Sequence, residues 1–130
     1  MTLLDTHIWV WWVLGGPRLG GRAAWLDAQP TDALGISVIS IWEVAKLVQK
    51  GRLILPFDVR TWVAKALDET AVGVIGLSKE IVLDANMLPG DFHSDPADQM
   101  IVATARELDC ELITEDARIL SYQHVKAVAP

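Results

Sequence analysis

Four short acidic segments, far apart in the chain, contain the side chains with the clearest capacity for chemistry. In each, a carboxylate stands where an apolar strand is predicted to end or a helix to begin. The segments are Leu3-Leu4-Asp5-Thr6-His7, Ser40-Ile41-Trp42-Glu43, Asp95-Pro96-Ala97-Asp98-Gln99 and Thr114-Glu115-Asp116. A fold that gathered these like charges would need cations to neutralise them, and oxygen ligands suit Mg²⁺ or Mn²⁺. The sequence therefore predicts a metal-dependent active site.

Helix capping is the competing interpretation of these acids. Asp5 and Asp116 each precede a predicted helix and would serve as its N-cap. Glu43 follows Ser40 by three residues, the spacing of a capping box, in which the glutamate folds back onto the N-cap amide. For Asp5 the two roles are compatible because a carboxylate has two oxygens. Glu43 must extend away from its own helix to reach a metal.

The third acidic segment offers two carboxylates on one helical face. Asp95 directly precedes Pro96, which favours Asp95 as the N-cap and Asp98 as the better metal ligand. Asp95 would then assist through water. Two hydroxyl groups are accessory candidates: Thr114, as a water or phosphate contact, and Thr6, which could share the capping of the first helix.

The remaining chemistry-bearing residues give weaker indications. Three widely spaced histidines support a zinc site poorly, and His7 and His93 are interpreted as local hydrogen-bonding residues. Tryptophans can stack on nucleobases, but amphipathic helices make core packing or a subunit interface the preferred interpretation for Trp9, Trp12, Trp42 and Trp62. The apolar excess of the first helix makes self-association plausible; it comes from Ile8, Trp11, Trp12 and Leu14.

Alternating strands and helices would position the four acids. Strands are predicted at Thr2–Leu4, Leu34–Ile39, Val72–Leu77, Glu111–Thr114 and Val125–Val128. Helices are predicted at His7–Leu14, Gly21–Ala28, Ser40–Lys50, Asp58–Glu69, Ser78–Leu88, Asp95–Leu108 and Ala117–Leu120. This alternation indicates a parallel sheet covered on both faces, with ligands bound beyond the carboxyl ends of the strands. Asp5 and Asp116 lie just past strand ends, and Glu43 and Asp98 in first helical turns, so all four would share one edge.

Length and composition are consistent with one globular domain over residues 1–130. Hydrophobic residues make up 52% of the chain, and Cys110 is the only cysteine, which suits a reducing compartment. The N-terminus lacks a basic region, and the apolar run Ile8–Leu14 is too short to span a bilayer. We expect a cytoplasmic protein without membrane contact. The net charge of −6 opposes nucleic-acid binding at first, but two bound divalent ions would reduce it to −2.

Taken in order, four blocks resemble the PIN-domain proteins, in particular the VapC-type ribonuclease toxins of bacterial toxin–antitoxin pairs. The blocks run Leu3-Leu4-Asp5-Thr6-His7-Ile8, then Ile41-Trp42-Glu43-Val44-Ala45 with Lys50-Gly51-Arg52-Leu53, then His93-Ser94-Asp95-Pro96-Ala97-Asp98-Gln99-Met100-Ile101-Val102-Ala103, then Leu112-Ile113-Thr114-Glu115-Asp116. The similarity covers essentially the whole chain. It implies a small three-layer α/β/α PIN-like fold around a short parallel sheet.

The resemblance also implies a function. Asp5, Glu43, Asp98 and Asp116 would match the acidic quartet that binds Mg²⁺ or Mn²⁺ and catalyses endonucleolytic cleavage of RNA. A homodimer and a cognate antitoxin that blocks the acidic pocket are expected as well. The alternatives are a DNA nuclease or phosphatase with the same pocket, and a catalytically silent binding module.

Two positions depart from the family pattern. Relatives usually carry Arg after the third acid, where this chain has Gln99, and often a basic residue before the fourth, where it has Glu115. Both differences remove positive charge where a phosphate should lie. They affect substrate binding and choice more than metal binding.

Overall fold

Five short parallel strands form the central sheet of the computed structural model, which describes residues 1–130. They are β1 (Thr2–Leu4), β2 (Leu34–Ser37), β3 (Gly73–Ile75), β4 (Glu111–Ile113) and β5 (Ala127–Val128). Their order across the sheet is β3-β2-β1-β4-β5. The chain therefore builds outward from β1 in one direction and later returns to add β4 on its other side. Parallel sheets bind ligands at such a switch point, beyond the carboxyl ends of the strands.

Seven helices connect and cover the strands. They are α1 (Thr6–Leu14), α2 (Arg22–Asp27), α3 (Val38–Gln49), α4 (Val59–Thr70), α5 (Lys79–Asn86), α6 (Pro96–Leu108) and α7 (Ala117–Leu120). Several predicted ends are present: the Ser78 hydroxyl accepts the Ile81 N–H at 3.2 Å, and Gly51, which follows the α3 C-cap Lys50, has a left-handed φ of 70°. The locally encoded caps therefore set these helix boundaries.

The alternation of side chains along β1 and β4 divides the core into two layers. Leu4 and Ile113 pack with Trp9, on the side covered by α1 and α4. Leu3 and Leu112 pack on the opposite side, against α6 and α7. Because successive strand residues point to opposite faces of a sheet, both faces are covered. The predicted three-layer α/β/α arrangement is confirmed.

The predicted start of α3 at Ser40 is wrong. The helix begins at Val38, and Ser37 is its N-cap, with its hydroxyl accepting the Ile39 N–H at 3.2 Å. Ser40 is fully buried within the helix. The β-branched pair Val38-Ile39 favours strand by propensity, and the periodicity of a short apolar run does not distinguish a strand from a buried helical turn. The predicted capping box at Ser40 is therefore absent, and Glu43 lies in the second turn rather than the first.

Other boundaries differ by a few residues. The third and last strands are shorter than predicted, since β3 covers only Gly73–Ile75 and β5 only Ala127–Val128.

Ile8 is fully buried in the core, so it contributes nothing to a surface for self-association. None of the helices combines the length and the hydropathy that crossing a bilayer requires.

Trp9 and Trp62 bear out the prediction of core packing. Both are buried, and their rings meet edge to face at 5.3 Å. Trp42 is not packed in the core, because it is 54% exposed on α3 and lies beside the Lys46 ammonium.

Candidate active site

Asp5 stands at the junction between the central strand and the first helix. Its Oδ1 accepts the Thr6 N–H at 2.8 Å, so the predicted N-cap is present. Its Oδ2 accepts the hydroxyl of Thr114, which follows β4, at 2.6 Å. Because β1 and β4 are neighbours in the sheet, this bond joins two strand ends at the switch point. These two hydrogen bonds hold the Asp5 side chain in one orientation. The residue is only 6% exposed.

Glu43 reaches the same edge from α3. The Thr6 hydroxyl lies 2.5 Å from Glu43 Oε1, to which it donates, and also hydrogen-bonds with the Ser40 hydroxyl at 2.8 Å. Glu43 thus extends away from its helix rather than folding back to cap it. Ser40 does take part in the site, but as a buried neighbour of Thr6.

Asp98 projects from the first turn of α6. Asp95 is the N-cap of this helix and accepts the Asp98 N–H at 2.9 Å, as its position before Pro96 predicts. Asp98 itself is 9% exposed, and its Oδ2 lies 3.2 Å from His93 Nε2. That nitrogen is buried and makes no aligned hydrogen bond, while His93 Nδ1 accepts the Asp95 N–H at 3.3 Å. His93 is therefore the local hydrogen-bonding residue we predicted. Because Nδ1 is the acceptor, the ring proton lies on Nε2, which faces Asp98.

Asp116 completes the group from the start of α7. It caps this short helix by accepting the Arg118 N–H at 2.8 Å. The Arg118 guanidinium lies 3.2 Å from Asp116 Oδ2 and 3.5 Å from Asp98 Oδ2, so it bridges the two acids. Sequence reasoning missed Arg118. Its only signal was a basic residue two positions after an N-cap, which is common in helices.

All four acids line one cleft of about 570 Å³ at the carboxyl edge of the sheet. Carboxylate oxygens of Asp5, Glu43 and Asp98 lie within 4.8 Å of one another, and so do ligand atoms of His93, Asp98 and Asp116. A donor set of several carboxylate oxygens fits a hard divalent cation such as Mg²⁺ or Mn²⁺. Asp95 lies at the same cleft, whereas Thr6 and Thr114 stand behind the acids and orient them.

The pKa values reflect the crowding of like charges. Burial, followed by the negative charges of the surrounding carboxylates, raises the pKa of Asp98 to about 8, even though Arg118 is near. Burial raises the pKa of Glu43 to about 7 against the hydrogen bond from Thr6. Burial also raises the pKa of Asp5. A site that holds protons at neutral pH in this way is one that a cation would stabilise in the ionised form.

Asp116 differs from the other three acids. Burial acts to raise its pKa, but the hydrogen bonds from the Arg118 side chain and N–H outweigh burial, and the pKa of Asp116 is lowered. It therefore stays ionised without a metal. The four acids thus form one cluster with two electrostatic environments, a buried group near Asp98 and a more exposed carboxylate paired with arginine.

Three further residues line the cleft on the side of α1: His7, Trp11 and Arg18. His7 does not form the local hydrogen bond we predicted, and its ring lies 5.6 Å from that of Trp11. Of the two departures from the family pattern, Gln99 donates to the His93 carbonyl at 3.0 Å. Glu115 is exposed as predicted, although it lines the same cleft.

Comparison with known proteins agrees with this fold. The family model described as PIN domain matches residues 2–125, nearly the whole sequence. The chain belongs to the PIN-domain family. The resemblance inferred from the four acidic blocks is therefore confirmed.

Within that family, individual proteins are similar over their full length. "Ribonuclease VapC22" of Mycobacterium tuberculosis is 34% identical over 126 residues, which cover 97% of this chain and 95% of the relative. A toxin–antitoxin complex from Klebsiella pneumoniae contains a chain 23% identical with a TM-score of 0.70, covering 98% of this chain and 96% of that one. VapBC2 from Rickettsia felis, solved with a promoter DNA fragment, contains a chain that is 17% identical with a TM-score of 0.72. The match covers 98% of this chain and 97% of that one. At these identities the two structures establish the fold.

Proposed function

We propose that this protein is a divalent-metal-dependent endoribonuclease, the toxin of a toxin–antitoxin pair. The convergence of Asp5, Glu43, Asp98 and Asp116 in one cleft is the observation that carries the proposal. The similarity to a protein named ribonuclease supports RNA as the substrate. An acidic cleft repels a polyanion unless cations are present, so this arrangement favours metal-assisted phosphodiester hydrolysis over binding alone.

The metal would be held mainly by the buried acids. Asp5 and Asp98 are proposed as direct ligands, and Asp116 as a ligand that binds directly or through water. Asp95 would contribute through water, and the His93 Nε2–H would orient the Asp98 carboxylate. When bound, Mg²⁺ or Mn²⁺ would lower the pKa of water and neutralise charge on the phosphate.

Glu43 is proposed to orient the attacking water and take its proton. Its Oε1 is occupied by the Thr6 hydroxyl, which fixes the carboxylate and leaves Oε2 without a protein hydrogen bond. Burial raises the pKa of Glu43 to about 7 without metal, and a bound cation would lower it, so the carboxylate would be ionised and able to accept a proton. Transfer of the water proton to Glu43 Oε2 would thus accompany attack on phosphorus. The bond from phosphorus to the 3′ oxygen would break, and that oxygen would take a proton from solvent.

Arg118 supplies positive charge that the residues at 99 and 115 do not. Its side chain is 61% exposed while its guanidinium contacts Asp98 and Asp116, so one side of the group remains open to solvent. A guanidinium offers paired N–H donors that match phosphate oxygens. We propose that Arg118 binds the phosphate being cleaved. Products would carry a 5′-phosphate and a 3′-hydroxyl.

Partners and location follow from the same proposal. One similar structure is described as a toxin–antitoxin complex, which supports a cognate antitoxin that blocks the acidic cleft. We propose a homodimer that acts in the cytoplasm, where its RNA substrate is found. Two exposed apolar side chains are available for such an interface: Leu83 on α5 and Met87 at its C-cap.

The proposal is tested by incubating the purified protein with three substrates: RNA, single-stranded DNA and a phosphomonoester. Each substrate is tested with Mg²⁺, with Mn²⁺ and with EDTA. We expect RNA to be the only substrate cleaved, and we expect this cleavage to be lost in EDTA and in the Asp5→Asn variant. Sequencing of the fragments should identify 5′-phosphate and 3′-hydroxyl ends. Cleavage of DNA or of the phosphomonoester would assign the cleft to one of the other enzymes. No turnover of any substrate, together with no metal binding, would identify a silent module.

Replacing Glu43 by Gln is expected to lower kcat by about a hundredfold to ten-thousandfold, the usual contribution of a positioned general base. Glutamine keeps an oxygen that can accept the Thr6 hydroxyl, so thermal stability should stay the same. Glu111→Gln, an exposed change at the start of β4, is the matched control. Full activity of Glu43→Gln would remove Glu43 from the mechanism.

A further inference from the structure

The wall of the cleft on the side of α1 is built differently from its acidic floor. His7 and Trp11 stand four residues apart on α1 and so share one helical face. Their ring centroids lie 5.6 Å apart, and the Arg18 guanidinium carbon lies 4.8 Å from the centroid of Trp11. All three residues line the cleft beside Asp5 and Glu43. This wall combines aromatic surface with positive charge.

The local backbone fixes this wall. Gly15 and Gly16 follow α1 with φ values of 77° and 101°, a region that side-chain-bearing residues rarely adopt. They turn the chain back, so that Arg18 lies over a ring one turn from the end of the helix. Trp11 also packs in part against the main apolar cluster, which holds its ring in place.

Arg18 differs from the other arginine of the cleft. Arg118 is paired with Asp98 and Asp116, whereas Arg18 forms no ion pair or side-chain hydrogen bond, although acids line the same cleft. Its guanidinium is held by the Trp11 ring alone. An exposed guanidinium stacked on an indole retains its N–H donors and one flat face for a ligand.

We propose that Trp11 and Arg18 form a stacking platform for an unpaired base of the RNA, next to the phosphodiester that is cleaved. This inference rests on the proposed ribonuclease function and adds a requirement for single-stranded RNA at the cleavage position. Aromatic rings and guanidinium planes are the surfaces on which proteins stack unpaired bases, and the charge of Arg18 favours the adjoining phosphates. A base within a duplex is already stacked on both faces and would not be available.

A cycle of substrate and protein changes tests the platform. An RNA oligonucleotide with one cleavage position is compared with the same oligonucleotide lacking the base on either side of that position, using wild-type protein and Trp11→Leu. Stacking of one base contributes about tenfold to a hundredfold in affinity. We expect the wild-type protein to lose that factor in KM when the stacked base is absent, and Trp11→Leu to show no difference between the substrates. An equal loss from base removal in both proteins would overturn the proposal.

Matched variants separate stacking from packing. Trp25 carries a guanidinium in the same way, with Arg22 at 4.9 Å, but it does not line the cleft, so Trp25→Leu should leave KM unchanged. Trp11→Phe keeps an aromatic face and should restore most of the affinity, and Arg18→Gln, at an exposed position, should raise KM severalfold without changing the melting temperature. A Trp11→Phe variant as weak as Trp11→Leu would contradict stacking.

Binding measurements keep this test independent of catalysis. With Asp98→Asn in the background, RNA affinity is measured by the change in tryptophan fluorescence and by filter binding, for single-stranded and duplex RNA. We expect Trp11→Leu to weaken binding of the single strand only. Absence of RNA cleavage by the wild-type chain would contradict the proposed function. Separately, equal affinities of the proteins with and without the Trp11→Leu change for single-stranded RNA would overturn the platform. A variant that loses only inhibition by the antitoxin would assign this wall to the antitoxin and likewise overturn the proposal.

Discussion

Asp98→Asn is expected to lower RNA cleavage by about a thousandfold or more while the protein stays folded. Asp98 is the acid common to both groups of ligand atoms in the cleft, so its loss affects each possible metal position. A thousandfold loss in kcat/KM corresponds to about 4 kcal/mol of transition-state stabilisation, a size expected when a charged metal ligand is removed. Asparagine has nearly the same shape as aspartate and leaves the backbone N–H bond to Asp95 in place.

Stability distinguishes this prediction from simple damage to the fold. The charge on Asp98 is unfavourable in the absence of metal, because burial and the neighbouring acids oppose it. Asp98→Asn should therefore unfold at the same or a higher temperature than wild type in EDTA, and Arg118 keeps its contact with Asp116. Asp68→Asn, at an exposed position of α4, is the control and should change neither property. Wild-type activity of Asp98→Asn in Mg²⁺ would remove Asp98 from the proposed site.

Short-range patterns in the sequence were sufficient to locate three of the four acids. Asp5 and Asp116 follow strands and cap helices, and Asp98 follows an Asp-Pro cap, so their positions depend on neighbouring residues that are visible in the sequence. The parallel order of the strands then brings them to one edge. Helix caps and metal ligands are not exclusive alternatives here, since Asp5 and Asp116 cap helices at the edge of the acidic cleft.

Glu43 lies in the predicted cleft, but the predicted start of its helix was wrong. Its position depends on whether the helix starts at Val38 or Ser40, and the local sequence offers a serine at both possible caps. The correct start is decided by the burial of Ser40 against Thr6, a residue 34 positions earlier. Contacts of this kind form only in the folded chain, and no local propensity encodes them.

The cationic residues of the cleft were harder to predict for a similar reason. Arg118 bridges Asp98 and Asp116 only because α6 and α7 begin at the same edge of the sheet. Arg18 reaches Trp11 only because the two glycines after α1 adopt left-handed conformations. In the sequence, both arginines look like ordinary surface residues.

In the absence of metal, the free energy of unfolding is expected to fall as the pH rises from 5 to 8. The pKa values of Asp98 and Glu43 are raised in the folded protein to about 8 and about 7, above their ordinary values of 3.8 and 4.5. Between the unfolded and the folded pKa values the folded chain binds more protons, so raising the pH favours the unfolded chain. Each excess proton gives at most about 1.4 kcal/mol per pH unit, and the open cleft reduces this to a total of roughly 1–3 kcal/mol.

Divalent metal should reverse this trend. Carboxylates bind cations in the ionised form, so Mg²⁺ or Mn²⁺ should stabilise the protein more at pH 8 than at pH 5. At a hundred times the dissociation constant the gain is about 2.7 kcal/mol. Urea unfolding at pH 5, 6, 7 and 8, in EDTA and in excess metal, measures both effects, and Asp98→Asn should flatten the EDTA curve. If stability in EDTA instead rose with pH, and metal changed it equally at every pH, the buried acids would already be ionised and the electrostatic basis of the proposed metal site would be wrong.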